Sequence, residues 1–200
     1  MKRKIMLLAG LVIVLLLTAC GKKNEDGKNT DSTTTGTSQE GSGNAGEDGY
    51  GEATIEDLRA AVAEELGDNY WPKMSVSVED LSDMIGITED LYDEYLAEMP
   101  MISTHVDTLI IIKAKEGEVE AVEEILSVYR DKLINDSIQY PMNLGKIQAS
   151  RLETYGNYVC FVQLGADVSD ALEKGEDAVI EQCQAENEKA LAAISNTLSK

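Results

Sequence analysis

A long polar segment near the start of the chain limits where a folded core can form. Residues 21–53 are mostly Gly, Ser, Thr, Asn, Asp and Glu, and their only large apolar side chain is Tyr50. Such a segment buries too little apolar surface to offset the entropy lost on ordering. We therefore predict a disordered polar tether over 20–53 and a single domain over 54–200, a length typical of one hydrophobic core.

The residues before this segment have the order of a secretory signal. The basic cluster Lys2-Arg3-Lys4 is followed by an apolar run over 5–17 and then by Thr18-Ala19-Cys20. The run holds about 13 residues, which suits a signal peptide and falls short of the roughly 20 that a membrane-spanning helix needs. An uncleaved membrane anchor is the alternative, but the polar residues 21–24 follow directly and prevent any extension of the run.

The closing cysteine makes this N-terminus resemble a bacterial lipoprotein signal. The resemblance implies that residues 1–19 are a signal peptide that is removed, and that Cys20 then carries a diacylglyceryl group. Two acyl chains approach stable anchoring, whereas one chain holds a protein only reversibly. The lipid bilayer is then a partner through acylated Cys20, and the protein is expected on the extracytoplasmic face of the cell membrane.

The acidity of the chain limits the partners that its surface can attract. The formal net charge is −20, and loss of the three basic residues with the signal lowers it to about −23. Such a surface repels nucleic acid and anionic headgroups, so we expect no nucleic-acid partner. Diffuse acidity of this kind is typical of a solvated surface.

Apolar residues at helical spacing predict most of the helices in the domain. The first helix follows the capping residue Thr54 and has a buried stripe made of Ile55, Leu58, Val62 and Leu66. The same spacing predicts helices over 78–85, 88–99, 119–133 and 176–198. The helix over 88–99 would end at Pro100, because proline cannot continue it.

Three segments are predicted to be strands. The apolar run over 109–112, inside a strand over 106–114, is typical of a strand covered on both faces. Residues 146–154 and 158–164 read as two further strands joined by a short turn that contains Gly156. The predicted order is α-α-α-β-α-β-β-α, an α+β fold with a small, mostly antiparallel three-stranded sheet packed by long helices.

Several motifs between residues 69 and 164 resemble the DUF4358 group, a domain of unknown function found in bacterial lipoproteins. The motifs are Tyr70-Trp71-Pro72, residues 89–100, Asp107 with the run to Lys113, residues 119–130, Tyr140-Pro141 and Gly156-Asn157-Tyr158-Val159. The signal, polar linker and C-terminal domain also match the layout of that family. The resemblance implies placement and architecture, and it carries no catalytic assignment.

The residues that could carry chemistry form no recognisable catalytic or metal-binding pattern. His105 is the only histidine, and the chain lacks a G-x-S-x-G nucleophile motif. A transition-metal site would need His105 with Cys160 and Cys183, without the usual ligand spacing. We therefore expect no catalytic residue, no metal and no cofactor.

Cys160 and Cys183 are open to two interpretations. Both lie on predicted apolar stripes, where cysteine packs as a small hydrophobe, so free buried thiols are favoured. A disulfide between helix and sheet is the alternative, because an extracytoplasmic compartment can permit it.

These observations favour a non-enzymatic binding or interaction module of the cell envelope. The alternatives are an envelope hydrolase with an unrecognised carboxylate site and a structural accessory of a larger assembly. Candidate interaction residues are Tyr70, Trp71 and Tyr140, because they lie in irregular segments where binding residues concentrate. The competing interpretation of Trp71 is that it folds back over the end of the core.

Replacing Cys20 with Ser tests the lipid anchor. Serine offers no thiol for lipid attachment, so the protein should leave the membrane fraction or keep its uncleaved signal. Fractionation and the mass of the mature chain measure both effects. Unchanged processing and unchanged fractionation would contradict the lipoprotein interpretation.

Overall fold

The computed structural model of the chain describes residues 49–200, apart from Ser103 and Ser137. The predicted signal peptide, Cys20 and most of the predicted tether lie outside this part. No helix among the described residues is both long and apolar enough to cross a membrane.

The first described residues already make contacts with the rest of the domain. The backbone N–H of Gly51 donates to the carbonyl of Leu198 at 2.6 Å, which ties the start of the domain to its last helix. The hydroxyl of Tyr158 donates to the carbonyl of Ala53, also at 2.6 Å. The residues just before the predicted boundary at Thr54 therefore belong to the packed domain.

A five-stranded antiparallel sheet forms the centre of the described domain, in the order β1-β2-β3-β5-β4. Its strands are β1 Met74–Ser75, β2 Tyr92–Met99, β3 Thr108–Ala114, β4 Arg151–Tyr155 and β5 Tyr158–Gln163. The central strand is β3, which pairs with β2 on one side and β5 on the other. This position explains its continuous apolar sequence, because both of its faces are covered.

Helices cover both faces of the sheet. They are α1 Ile55–Leu66, α2 Val78–Asp80 with a π-helical turn Leu81–Ile85, α3 Val119–Asp136, α4 Pro141–Gln148, α5 Ser169–Leu172 and α6 Glu176–Leu198. On one face, Leu109 and Ile111 of β3 pack in a cluster with α1 and α6. On the other face, Ile110 and Ile112 pack with the π-helical turn and α3. The alternation of β3 side chains thus builds two cores from one strand.

The predicted α+β class is correct, but the three-stranded sheet and the predicted order are wrong. The structure has five strands, and its helices and strands follow one another along the chain in the order α1-β1-α2-β2-β3-α3-α4-β4-β5-α5-α6. The two-residue strand β1 and the one-turn helix α5 were not predicted. Each is too short to show a repeating hydrophobic pattern.

The largest error is the helix predicted over 88–99, most of which is strand β2. The register of β2 against β3 shifts between Tyr92 and Glu94, so one extra residue interrupts the alternation. Tyr92 and Tyr95 consequently reach the same core cluster although they are three positions apart. This bulge produces the three-residue spacing, which is also typical of a helix.

The strand predicted over 146–154 is also partly wrong. Its first residues form the last turn of α4, and the strand β4 begins only at Arg151. Pro141 occupies the first turn of α4, a position where its fixed φ suits helix initiation. The long helix α3, the strand β5 and the bounds of α6 agree with the prediction.

The two cysteines of the described domain are free and buried, which confirms the favoured interpretation of Cys160 and Cys183. Burial raises the pKa of both thiols, that of Cys183 to about 11. Cys183 also forms a close contact with the loop that follows β5. A Cβ atom at Gly165 would lie 2.5 Å from the Cys183 Sγ, so only glycine fits there.

Replacing Gly165 with Ala tests this contact. The added methyl group should lower the free energy of unfolding by about 1–3 kcal/mol, the usual effect of overpacking. Combining it with Cys183→Ala removes the sulfur and should leave the double variant more stable than the two single effects predict. Urea unfolding measures all three variants. Additive effects would contradict the close contact.

Candidate functional site

A buried ion pair lies at the end of the sheet where β3 begins. The Nζ atom of Lys146, on α4, lies 2.7 Å from Oδ2 of Asp107, the residue before β3. The two residues are 1% and 0% exposed. Burial of a charge is unfavourable unless the charge is paired and hydrogen-bonded, and this pair meets both conditions.

The ion pair also fixes the loop after β5. Oδ1 of Asp107 accepts hydrogen bonds from the backbone N–H groups of Gly165 and Ala166, at 3.0 and 2.8 Å. Lys146 donates in turn to the carbonyl of Ala166 at 2.6 Å. Ala166 has a φ of +45°, which is unusual for a residue with a Cβ atom. These hydrogen bonds hold the strained backbone in place.

Trp71 covers the ion pair from outside. Its indole is half-buried, and the Lys146 ammonium lies 5.0 Å from the ring centroid, within cation–π range. The ring of His105 meets it edge to face, with the centroids 4.6 Å apart. The Trp71–His105 pair therefore joins the connection before β1 to the loop before β3.

Two cavities lie beside the Trp71–His105 pair. The first, here called the apolar cleft, measures about 320 Å³ and is lined by Trp71, Lys73, Pro100, Met101, Ile102 and His105. The second, here called the inner chamber, measures about 70 Å³ and is lined by Trp71, His105, Met142, Asn143, Lys146, Ala166, Asp167, Val168, Ser169 and Leu172. The two aromatic rings belong to both linings.

One polar group of the inner chamber has no partner. Asn143 is fully buried, and its Nδ2 donates to the carbonyl of Thr104 at 3.0 Å. Its Oδ1 accepts no hydrogen bond within the described structure. Most buried polar atoms in proteins are hydrogen-bonded, and this buried oxygen is one of the exceptions among the described residues.

Exposed apolar side chains surround both cavities. Met101 and Ile102 are 80% and 60% exposed at the edge of the apolar cleft, and Met142 and Leu172 are exposed at the edge of the inner chamber. We call these four residues the apolar rim. Together with the half-buried Trp71, they place accessible apolar surface around one point of the domain.

The structure separates the three candidate interaction residues. Tyr70 is buried, and its hydroxyl donates to the carboxylate of Glu98; burial raises the pKa of that hydroxyl. Trp71 lies between the two cavities. Tyr140 is exposed at the start of α4 but lines neither cavity, while Met142 and Asn143 from the same segment line the inner chamber. The two segments singled out in the sequence therefore meet.

The sequence interpretation assigned no role to the ion pair. Lys146 lies in a predicted strand, and Asp107 belongs to the motifs that resemble the family. A single charged residue beside an apolar run does not indicate whether it is buried or paired. The pairing joins residues 39 positions apart, so no local pattern could reveal it.

The described domain contains no convergent set of metal-binding groups. Within 49–200, apart from the two residues excluded above, no cluster of three or more His, Cys, Asp or Glu side chains could hold a metal ion. The buried carboxylates Glu98, Asp107 and Glu186 each lie near a different cation, and these cations are Arg59, Lys146 and Lys189. Each of these three buried carboxylates is therefore paired with a cation and not with another of the three.

Comparison with known proteins identifies one similarity. A family model described as "Domain of unknown function (DUF4358)" matches residues 65–164, which is half of the 200-residue chain. The match includes all five strands and the residues Trp71, His105, Asp107, Asn143 and Lys146. No curated protein and no solved structure matches the chain.

Replacing Lys146 with Met tests the ion pair. Methionine keeps the length of the side chain but leaves the Asp107 carboxylate buried without its cation, so the free energy of unfolding should fall by about 3–5 kcal/mol. Arg151→Met is the matched control, because Arg151 and its partners Glu153 and Glu188 are all more than a third exposed. It should cost at most about 1 kcal/mol. Equal losses in the two variants would contradict a buried pair.

Proposed function

The chain belongs to the DUF4358 family, and from that premise we propose that it is a lipid-anchored extracytoplasmic protein whose domain binds a partner or ligand around Trp71. The family is described as a domain of unknown function, so membership assigns no activity. The proposal therefore depends on the site itself. It is a non-enzymatic binding function, served by a domain that a polar tether connects to the membrane.

The observation that carries the proposal is the apolar rim around the half-buried Trp71. Soluble domains rarely expose large contiguous apolar patches, and such patches are typical of interaction sites. The rim residues Met101, Ile102, Met142 and Leu172 come from three separate segments and surround the same two cavities. Tryptophan supplies much of the binding energy at protein interfaces, especially at the centre of a patch.

The scaffold beneath the rim is rigid enough to present it. The Asp107–Lys146 pair fixes the loop at Ala166, and Lys146 supports the inner face of the indole. Binding residues held on a rigid scaffold lose little entropy when a partner binds. This arrangement supports recognition without a large conformational change.

Anchoring is supported by the N-terminal sequence. Cys20 closes a signal-like segment, and the composition of the polar residues after it predicts a tether to the domain. A Gly-rich coil of about 32 residues has an r.m.s. span of roughly 30 Å. The strongly acidic surface is repelled by anionic headgroups, which favours a domain held away from the bilayer.

Replacing the two most exposed rim residues tests the binding function. Met101→Ser with Ile102→Ser removes apolar contact area but should change the free energy of unfolding by less than about 1 kcal/mol, because both side chains are largely exposed. Cross-linking in the membrane fraction, followed by affinity capture, should recover at least tenfold less of the partner than the unmodified chain.

Val128→Ser is the matched control. Val128 lies on α3, is 62% exposed, and lines neither cavity. Its substitution should leave partner recovery unchanged. Equal recovery with the rim variant and the control would overturn the assignment of this surface, and it would instead favour a structural accessory that uses another face.

A further inference from the structure

The apolar cleft has the size and the walls of a site for one small ligand. Its volume of about 320 Å³ lies at the lower end of the range of roughly 300–1,000 Å³ that is typical of small-molecule pockets. Most of its lining is apolar and comes from Trp71, Pro100, Met101 and Ile102. A ligand that fills this space must therefore present an apolar body, and the volume suits one slender chain better than a lipid with two chains.

The titratable side chains that line the cleft are both nitrogen donors. They are Lys73 and His105, and no carboxylate of the described residues belongs to the lining. Lys73 is exposed, and its ammonium forms no ion pair with any residue that the structure describes. The imidazole of His105 is half-buried beside Trp71 and carries at least one N–H in either protonation state. The cleft therefore offers donors to an acceptor group.

The charge of the cleft is opposite to that of the protein as a whole. The chain carries a formal net charge of −20, and this field repels a distant anion. Hydrogen bonds from Ser169 lower the pKa of Asp167 and keep this carboxylate ionised at neutral pH, but it lines the inner chamber and not the cleft. Salt screens distant charges more than a direct contact, so the uncompensated ammonium of Lys73 determines which charge the cleft prefers.

The walls and the charge together define the ligand class. The apolar walls bind a hydrocarbon chain, because burial removes its surface from water. A single ammonium beside a second N–H donor suits a head group with one negative charge and two acceptor oxygens, as in a carboxylate. A phosphate monoester carries nearly two charges at neutral pH, and Lys73 alone would compensate only part of them. A carboxylate on one hydrocarbon chain is the chemistry of a fatty acid.

We propose that the apolar cleft binds a fatty acid, whose hydrocarbon chain packs against Trp71 and Ile102 while its carboxylate accepts hydrogen bonds from Lys73 and His105. The inference rests on the proposed binding function and names a ligand class for the same surface. The cleft holds the fatty acid without forming or breaking a covalent bond.

Fluorescence of the full chain tests the site, because Trp71 is the only tryptophan and all indole emission comes from it. The chain is reconstituted in phosphatidylcholine vesicles and titrated with octanoate, octan-1-ol and octylammonium, which share a hydrocarbon chain and differ in charge. Dialysis fixes the free concentration of each probe, so partition into the bilayer does not affect the comparison. Octanoate should change the emission in a saturable manner and bind about fivefold more tightly than either other probe.

Lys73→Met removes the ammonium and keeps an unbranched side chain. It should weaken octanoate binding about fivefold, to the affinity of octan-1-ol. Binding of octan-1-ol should stay unchanged, which also shows that the variant is folded. Lys132→Met is the matched control, because Lys132 is exposed on α3 and lines neither cavity. It should alter the affinity for neither probe.

The outcomes separate this inference from the proposed function. The fatty-acid site would be overturned by an unsaturable response to octanoate, by equally tight binding of either other probe, or by equal octanoate binding in Lys73→Met and the control. If partner recovery still depends on Met101 and Ile102 in that case, the proposed function stands without this ligand. Octanoate binding that depends on Lys73, together with rim-independent partner recovery, would keep the fatty-acid site and place the partner on another face.

Discussion

The buried ion pair of Asp107 and Lys146 is the interaction on which the site depends. It joins the start of β3 to α4 and, through hydrogen bonds to Ala166, to the loop after β5. These three segments are far apart in the sequence and form the walls of the inner chamber. If either residue were replaced by an uncharged one, the other would remain as a buried charge without its partner. A buried, unpaired charge strongly destabilises a fold.

The same pair explains why an aromatic residue can remain partly exposed. The Lys146 ammonium attracts the face of the Trp71 indole, and the His105 ring contacts its edge. The indole is therefore fixed without being buried. Trp71 is half-buried and lines both cavities.

The elements were predictable from the sequence where a residue pattern is typical of only one kind of secondary structure. The continuous apolar run in β3 and the helical spacing in α3 and α6 correctly identified these elements. The apolar pattern before Pro100 fits both a helix and a strand, because a bulge at the start of β2 gives the strand the spacing of a helix. Only the pairing of β2 with β3 resolves that ambiguity, and such pairing depends on residues outside the segment.

Composition alone predicts a signal-like start, a polar segment and one domain, because composition limits the apolar surface that a segment can bury. The sequence also predicted candidate interaction residues at Trp71 and in the segment at Tyr140. Only the folded structure shows which of these side chains line a common cavity and that Asn143 is fully buried beside it. The physical reason is that burial and charge pairing arise from contacts between distant segments, which local residue patterns do not encode.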